Sequence, residues 1–192
     1  MGAWDIVERV VRWLLVALAL VALILPALVL NVPFVPPQSW SVLRVAERYR
    51  DHAAAINHLL QQAQEARAPD RAVYRLAVSL PVAAIVAGIC ALALAALALL
   101  RRQRLLAVAS WIGLVTTLYT VALAWWLTTA ARADLGTALA RVQQGLGAAG
   151  WNPLQASLLT RAGLLPGPGL YLLALAFFAT LLLPPAPSVV KS

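Results

Sequence analysis

"LAVSLPVAAIVAGICALALAALALLRRQRLLAVASWIGLVTTLYTVALAWWLTTAA", residues 76–131, places two uncharged apolar runs on either side of a short basic turn, Arg101, Arg102, Gln103 and Arg104. Each run exceeds the ~20 residues that carry a helix across a hydrocarbon core of ~30 Å. The pattern predicts two antiparallel transmembrane helices, residues 76–100 and 105–131, joined by a tight hairpin. A mean hydropathy of +0.83, with 62% hydrophobic and 11% charged residues, puts the whole chain in the same class.

Two more apolar segments flank this hairpin. Residues 13–35, "WLLVALALVALILPALVLNVPFV", form the first expected span, with a kink near Ala22 to Pro26, because proline removes a backbone donor and clashes with the preceding turn. Residues 164–183 form the fourth, opening on "LLPGPGLYL" and closing at "PPAP", with its helical core expected from Pro168. The first segment is expected to be retained: its apolar run is longer than the 7–15 residues of a signal-peptide core, and Asp5 and Glu8 stand before it. "MGAWDI" has Ile6 where a myristoylation motif needs serine or threonine.

The expected fold is therefore an all-α integral membrane protein organised as a single tetraspan domain, residues 1–192, with outer loops 36–75 and 132–163. Residues 41–67 break the apolar composition with a charged, glutamine-rich stretch. There Leu43, Ala46, Tyr49, Ala53, Ile56, Leu60 and Ala63 recur at spacings of three and four, one face of an amphipathic helix. Ser39 or Ser41 is placed to cap its start, and Pro69 ends it. Its alanine-rich stripe is too thin for deep insertion into lipid, so the face carrying Tyr49, Ile56 and Leu60 is expected to dock on protein. "ADLGTALARVQQGLGAAG" and "NPLQASLLTRAG" suggest short helices in the second loop that would meet it.

Fourteen arginines and one lysine give a formal charge of +8, yet they are spread over every polar segment, which excludes a nucleic-acid patch. Nine of the basic residues fall in the two long loops and six on the side of the termini, but Arg101, Arg102 and Arg104 concentrate in the hairpin, and Arg9 and Arg12 precede the first span. Density next to span ends governs the positive-inside rule, so both termini are expected in the cytoplasm. Trp13 would anchor the inner interface. Trp125 and Trp126 lie about 20 residues beyond Arg104, or ~30 Å of helix, and with Trp40, Tyr74 and Tyr171 suit the outer one.

Catalytic and cofactor chemistry has little to stand on. The expected spans contain no Asp, Glu, Lys, Arg or His, the usual carriers of ion and proton pathways and the source of axial haem ligands. His52 and His58 sit about 120° apart on a helix, and Cys90 is the single cysteine, so no metal site is expected. No nucleophile triad, carboxylate pair or phosphate loop stands in a suitable context, and "GPG" before the fourth segment reads as a helix start. Small residues supply packing instead: Ala84 and Gly88, continued by Ala91, allow close helix approach, and Thr116, Thr117, Thr120, Thr128 and Thr129 offer hydroxyls to their own backbone or to a neighbour.

The order of elements (span, long loop, span, tight hairpin, span, shorter loop, span) resembles the claudin-type tetraspan layout in topology. That family's first-loop signature of tryptophan, Gly-Leu-Trp and paired cysteines is missing, the loop holding Trp40 and no cysteine. The expected function is a non-enzymatic accessory or scaffolding subunit of a larger complex in a bacterial inner membrane, such as an energy-transducing one. It needs no cofactor, and its partners are the bilayer and other transmembrane subunits. The alternative is a binder of a lipid, quinone or pigment near Tyr119, Trp125 and Trp126.

Overall fold

The computed structural model describes residues 3–31, 36–51, 61, 68–100, 102–146 and 163–183. The elements in chain order are α1 (Ala3–Ile24), β1 (Pro26–Asn31), β2 (Gln38–Ser41), α2 (Val42–Asp51), α3 (Ala68–Leu99), α4 (Gln103–Leu146), β3 (Gly163–Pro166) and α5 (Pro168–Leu182). The chain is mostly helical. Among the described residues, two helices are long and apolar enough to cross a membrane, Val78–Leu99 within α3 and Arg104–Ala130 within α4.

The fold is not all-α. β1 lies between β2 and β3 in a three-stranded antiparallel sheet, with Val29 opposite Ser39 on one side and Leu165 on the other. This corrects the first expected span. Pro26 does not kink a continuing helix: α1 stops at Ile24, Leu25 bends, and "PALVLN" leaves as a strand whose backbone groups pair with both neighbours. A register shift between Pro26 and Leu28 frees the Ala27 carbonyl, which accepts a hydrogen bond from Gly167 N–H at 2.7 Å.

Residues 132–146 are likewise not a separate short helix, but the continuation of α4, since no proline interrupts the chain between Thr129 and Leu146. At ~1.5 Å per residue, the 44 residues of α4 extend ~66 Å, about twice a hydrocarbon core. Proline punctuation does place the start of α5, with Pro168 at its first turn. Leu165 and Leu164, read as the opening of a span, belong to β3.

The core runs through the bundle. Val16, Ala19 and Leu23 of α1 meet Leu80, Ala84 and Leu94 of α3, and Leu170, Leu173 and Phe177 of α5. α4 contributes a buried seam of small and hydroxyl residues, Ser110, Gly113, Thr117, Thr120, Ala124 and Thr128. Their spacings of three and four keep one face toward the bundle and let neighbouring backbones approach. Gly113 shows the consequence: a Cβ there would enter the ring of Phe177.

Candidate functional site

One end of the bundle carries the α3–α4 hairpin, with exposed Arg102 and Arg104. The other, the sheet end, is where α1 gives way to β1, β2 turns into α2 and β3 turns into α5. α2 reaches from these junctions to the middle of α3, where Val42 meets Gly88.

β2 ends at Ser41, whose Oγ accepts a hydrogen bond from Arg44 N–H at 3.3 Å, so Ser41 is the residue that caps α2. The helix then presses Val42 and Val45 onto the bundle. Gly88 makes this approach possible: a Cβ at that position would lie 2.7 Å from Val42 Cγ1. The small-residue surface of Ala84, Gly88 and Ala91 is therefore used within the chain, all three being buried.

α5 is held to the same end by the Gly-Pro-Gly step. A Cβ on Gly167 would overlap the Pro26 carbonyl oxygen, and one on Gly169 would lie 2.8 Å from the Ala22 oxygen. Both glycines serve close backbone approach. Beside them Thr128 Oγ1 of α4 donates to the Leu164 carbonyl at 2.6 Å and accepts from Leu164 N–H at 2.9 Å. Gly163 precedes this contact with φ +155°, and a Cβ there would lie 2.5 Å from Thr128 Cγ2. Among the described residues, β2 of the first expected loop and β3 at the end of the second are joined through β1; residues 52–60 and 147–162, where helix would meet helix, lie outside the described residues.

Two clefts flank α2. One, of about 90 Å³, is wholly apolar and is walled by Leu43 and Ala46 of α2 and Ile85 and Ile89 of α3. The other, of about 290 Å³, is lined by Ile24, Pro26, Ser39, Ser41 and Arg44. Both are open, and neither exceeds the ~300 Å³ at which small-molecule pockets begin.

The remaining expected site residues fall as follows. Tyr49 is half-buried and, at spacings of three and four, shares the inward face of α2 with the buried Val42 and Val45, whereas Leu43, read into the same stripe, is exposed. Ile56 and Leu60 lie outside the described residues, as does Arg101. Trp13, Trp125, Trp126 and Tyr171 are all exposed, whereas Trp40 packs against the core. Of the five threonines, Thr116, Thr117, Thr120 and Thr129 donate to carbonyls of their own helix, and Thr128 alone reaches across to another element. Tyr119 adds a tie between α3 and α4: Ser79 Oγ donates to the Leu76 carbonyl and lies 2.8 Å from Tyr119 OH, which leaves the tyrosine as donor.

An ion pair lies just before the expected start of the first span at Trp13. α1 begins ten residues before Trp13, at Ala3, and contains Glu8 and Arg12, 2.6 Å apart with side chains 21% and 23% exposed. Ile6, Val7, Val10 and Leu14 are exposed instead, so the apolar face of this segment points outward and the charged pair inward. The i, i+4 spacing of a Glu before an Arg was the available signal.

No protein-family model, curated protein or solved structure matches the chain.

Proposed function

We propose that the chain is a non-catalytic multi-pass subunit that scaffolds other transmembrane subunits of a larger assembly in a bacterial cell membrane. The observation that carries this reading is the inverted distribution of side chains. Leu14 and Val21 of α1, Ile89 and Leu92 of α3, Trp111, Val115 and Leu118 of α4, and Leu175 and Phe178 of α5 are exposed, while Ser110, Thr117, Thr120 and Thr180 are buried. In water such faces would drive aggregation; lipid or an apolar partner is their proper environment.

In this reading all of α1, α3, α4 and α5 cross the bilayer. α1 has 22 residues, ~33 Å, and turns its Glu8–Arg12 pair inward as an intramembrane pair must. α5 has 15 residues, ~22 Å, and is seated at mid-bundle by Leu170, Leu173 and Phe177. The hairpin arginines lie on the cytoplasmic side, and α2 packs beside the α3 span at Gly88, while β3 is fastened to α4 by Thr128 and α5 to α1 by Gly169. Contacts this close hold the helices in one fixed arrangement, which suits a scaffold that must keep its shape.

Purification in mild detergent tests the subunit reading: the tagged protein is expected to co-migrate with other integral membrane proteins, and a lone monomer under conditions that preserve known complexes overturns it. Orientation is tested separately. A membrane-impermeant maleimide applied to intact spheroplasts should label Gln38→Cys and leave Gln103→Cys unlabelled until the cells are lysed; the reverse pattern overturns the assignment.

A further inference from the structure

We propose that the outward face of α2 pairs, at membrane depth, with the same face of a second copy of this chain. The proposal rests on the multi-pass reading of α1, α3, α4 and α5 and adds a partner to it. Gly88 stands at the middle of the Val78–Leu99 span, and a Cβ there would lie 2.7 Å from Val42 Cγ1 and 3.6 Å from Leu23 Cδ2. Leu43 and Ala46 share a cleft with Ile85, Ile89 and Leu92 of α3, which keeps the first half of α2 at the same level. α2 therefore starts beside the apolar core, away from any headgroup. Its inward side is apolar, with Val42 and Val45 buried and Tyr49 half-buried. On the opposite side Arg44, Glu47, Arg48 and Asp51, all exposed, lie within ~100° of the helix circumference.

Acyl chains are no environment for this face, because charged side chains at membrane depth pair with one another or turn toward protein or water. The Arg44 guanidinium and the Glu47 carboxylate have neither an ion pair nor a hydrogen bond among the described residues, and Asp51 meets Arg50 at 3.4 Å. Along the face the signs alternate: basic, acidic, basic, acidic. A two-fold axis sets a surface against itself, so a row of this kind meets its own complement, each base offered an acid and each acid a base. A face of one sign would need a foreign counter-charge; this one carries both. Ile89 and Leu92, exposed beside α2, give the contact an apolar margin.

The test uses the full-length protein, co-expressed as two differently tagged copies and recovered in mild detergent. Wild-type copies are expected to retrieve one another. Arg44→Glu with Arg48→Glu makes the face wholly acidic, and Glu47→Arg with Asp51→Arg makes it wholly basic. Each variant should lose self-association roughly tenfold or more, because like charges then face each other. Co-expressing the acidic with the basic variant should restore association to about the wild-type level, which shows in the same step that both fold. Arg44→Gln with Glu47→Gln, a milder change at exposed positions that stands in where a reversed variant does not fold, should weaken pairing roughly threefold. Arg104→Gln, a change of charge on the hairpin, should leave it unchanged. Self-association undiminished in the charge-reversed or the neutral variants, or a mixed pair of folded variants no stronger than either alone, overturns the proposal. So does a wild-type protein that retrieves other membrane proteins but not its own copy, which leaves the subunit reading intact. Copies that pair without any other membrane protein support the dimer and overturn that reading instead.

Discussion

Thr128 acts as the missing strand for Leu164: one hydroxyl donates to its carbonyl at 2.6 Å and accepts from its N–H at 2.9 Å. β3 pairs with β1 along one edge only, and an unpaired outer edge would leave these groups unsatisfied beside an apolar bundle. A side chain from α4 closes the sheet at that edge and fastens it to the bundle in the same contact.

Thr128→Val keeps the shape of the side chain and removes both bonds, leaving a backbone donor and acceptor orphaned. The expected loss is about 2 kcal/mol, whereas Thr128→Ser should cost well under half of that because the hydroxyl survives. Thermal unfolding in mild detergent, followed by circular dichroism, measures the difference. A larger loss in Thr128→Ser than in Thr128→Val would mean that the methyl packing outweighs the hydroxyl.

Gly88 sets how closely α2 lies on α3. Gly88→Ala brings a Cβ to 2.7 Å from Val42 Cγ1, so α2 must lift or Val42 must leave its rotamer, at a cost of about 1–3 kcal/mol. Tryptic cleavage after Arg44 and Arg48 should accelerate in that variant. Adding Val42→Ala removes the clashing methyls and should restore part of the protection. If Val42→Ala only adds to the loss, the contact is not what limits the approach.

The α3–α4 hairpin is legible from residues 76–131 alone, because length and the absence of charge decide it without any partner. The sheet is not. "PALVLN" is a short apolar run with no periodicity to separate strand from helix, and its partner "GLLP" is far away in the chain. Pro26 carried the correct signal, an end to the helix, but the apolar residues after it extended the span on paper. The start of α2 and its Ser41 cap were readable from local chemistry; its rotation was not, since the junction with β2 at Ser41 turns Val42 and Val45, rather than Leu43, onto the bundle. The Ala84–Gly88–Ala91 surface was readable as packing, and which helix it received was not.

Gly113 and Phe177 make a second reciprocal pair at mid-bundle. Gly113→Ala would place its methyl inside the ring of a fully buried phenylalanine and should cost about 1–3 kcal/mol. Phe177→Ala alone should cost about 3–5 kcal/mol by opening a cavity. The combination is expected to be less harmful than the sum of the two, because the methyl then occupies part of the vacated space. Strict additivity in the thermal unfolding of the three variants would show that the two positions do not share one space.

Ser110 and Thr117 test the hydroxyl seam of α4 against itself. Both are fully buried, but Thr117 donates to the Gly113 carbonyl at 2.6 Å, whereas Ser110 Oγ has no hydrogen-bond partner among the described residues. An unpaired buried hydroxyl carries a desolvation cost with nothing to offset it, so its removal should help rather than harm. Ser110→Ala is therefore expected to leave stability unchanged or raise it by up to about 1 kcal/mol, while Thr117→Ala should lower it by about 1 kcal/mol through the lost bond and methyl. Both are read from thermal unfolding in the same detergent. A loss in Ser110→Ala as large as that in Thr117→Ala would place a partner at Ser110, and the seam would then be polar in function as well as small in size.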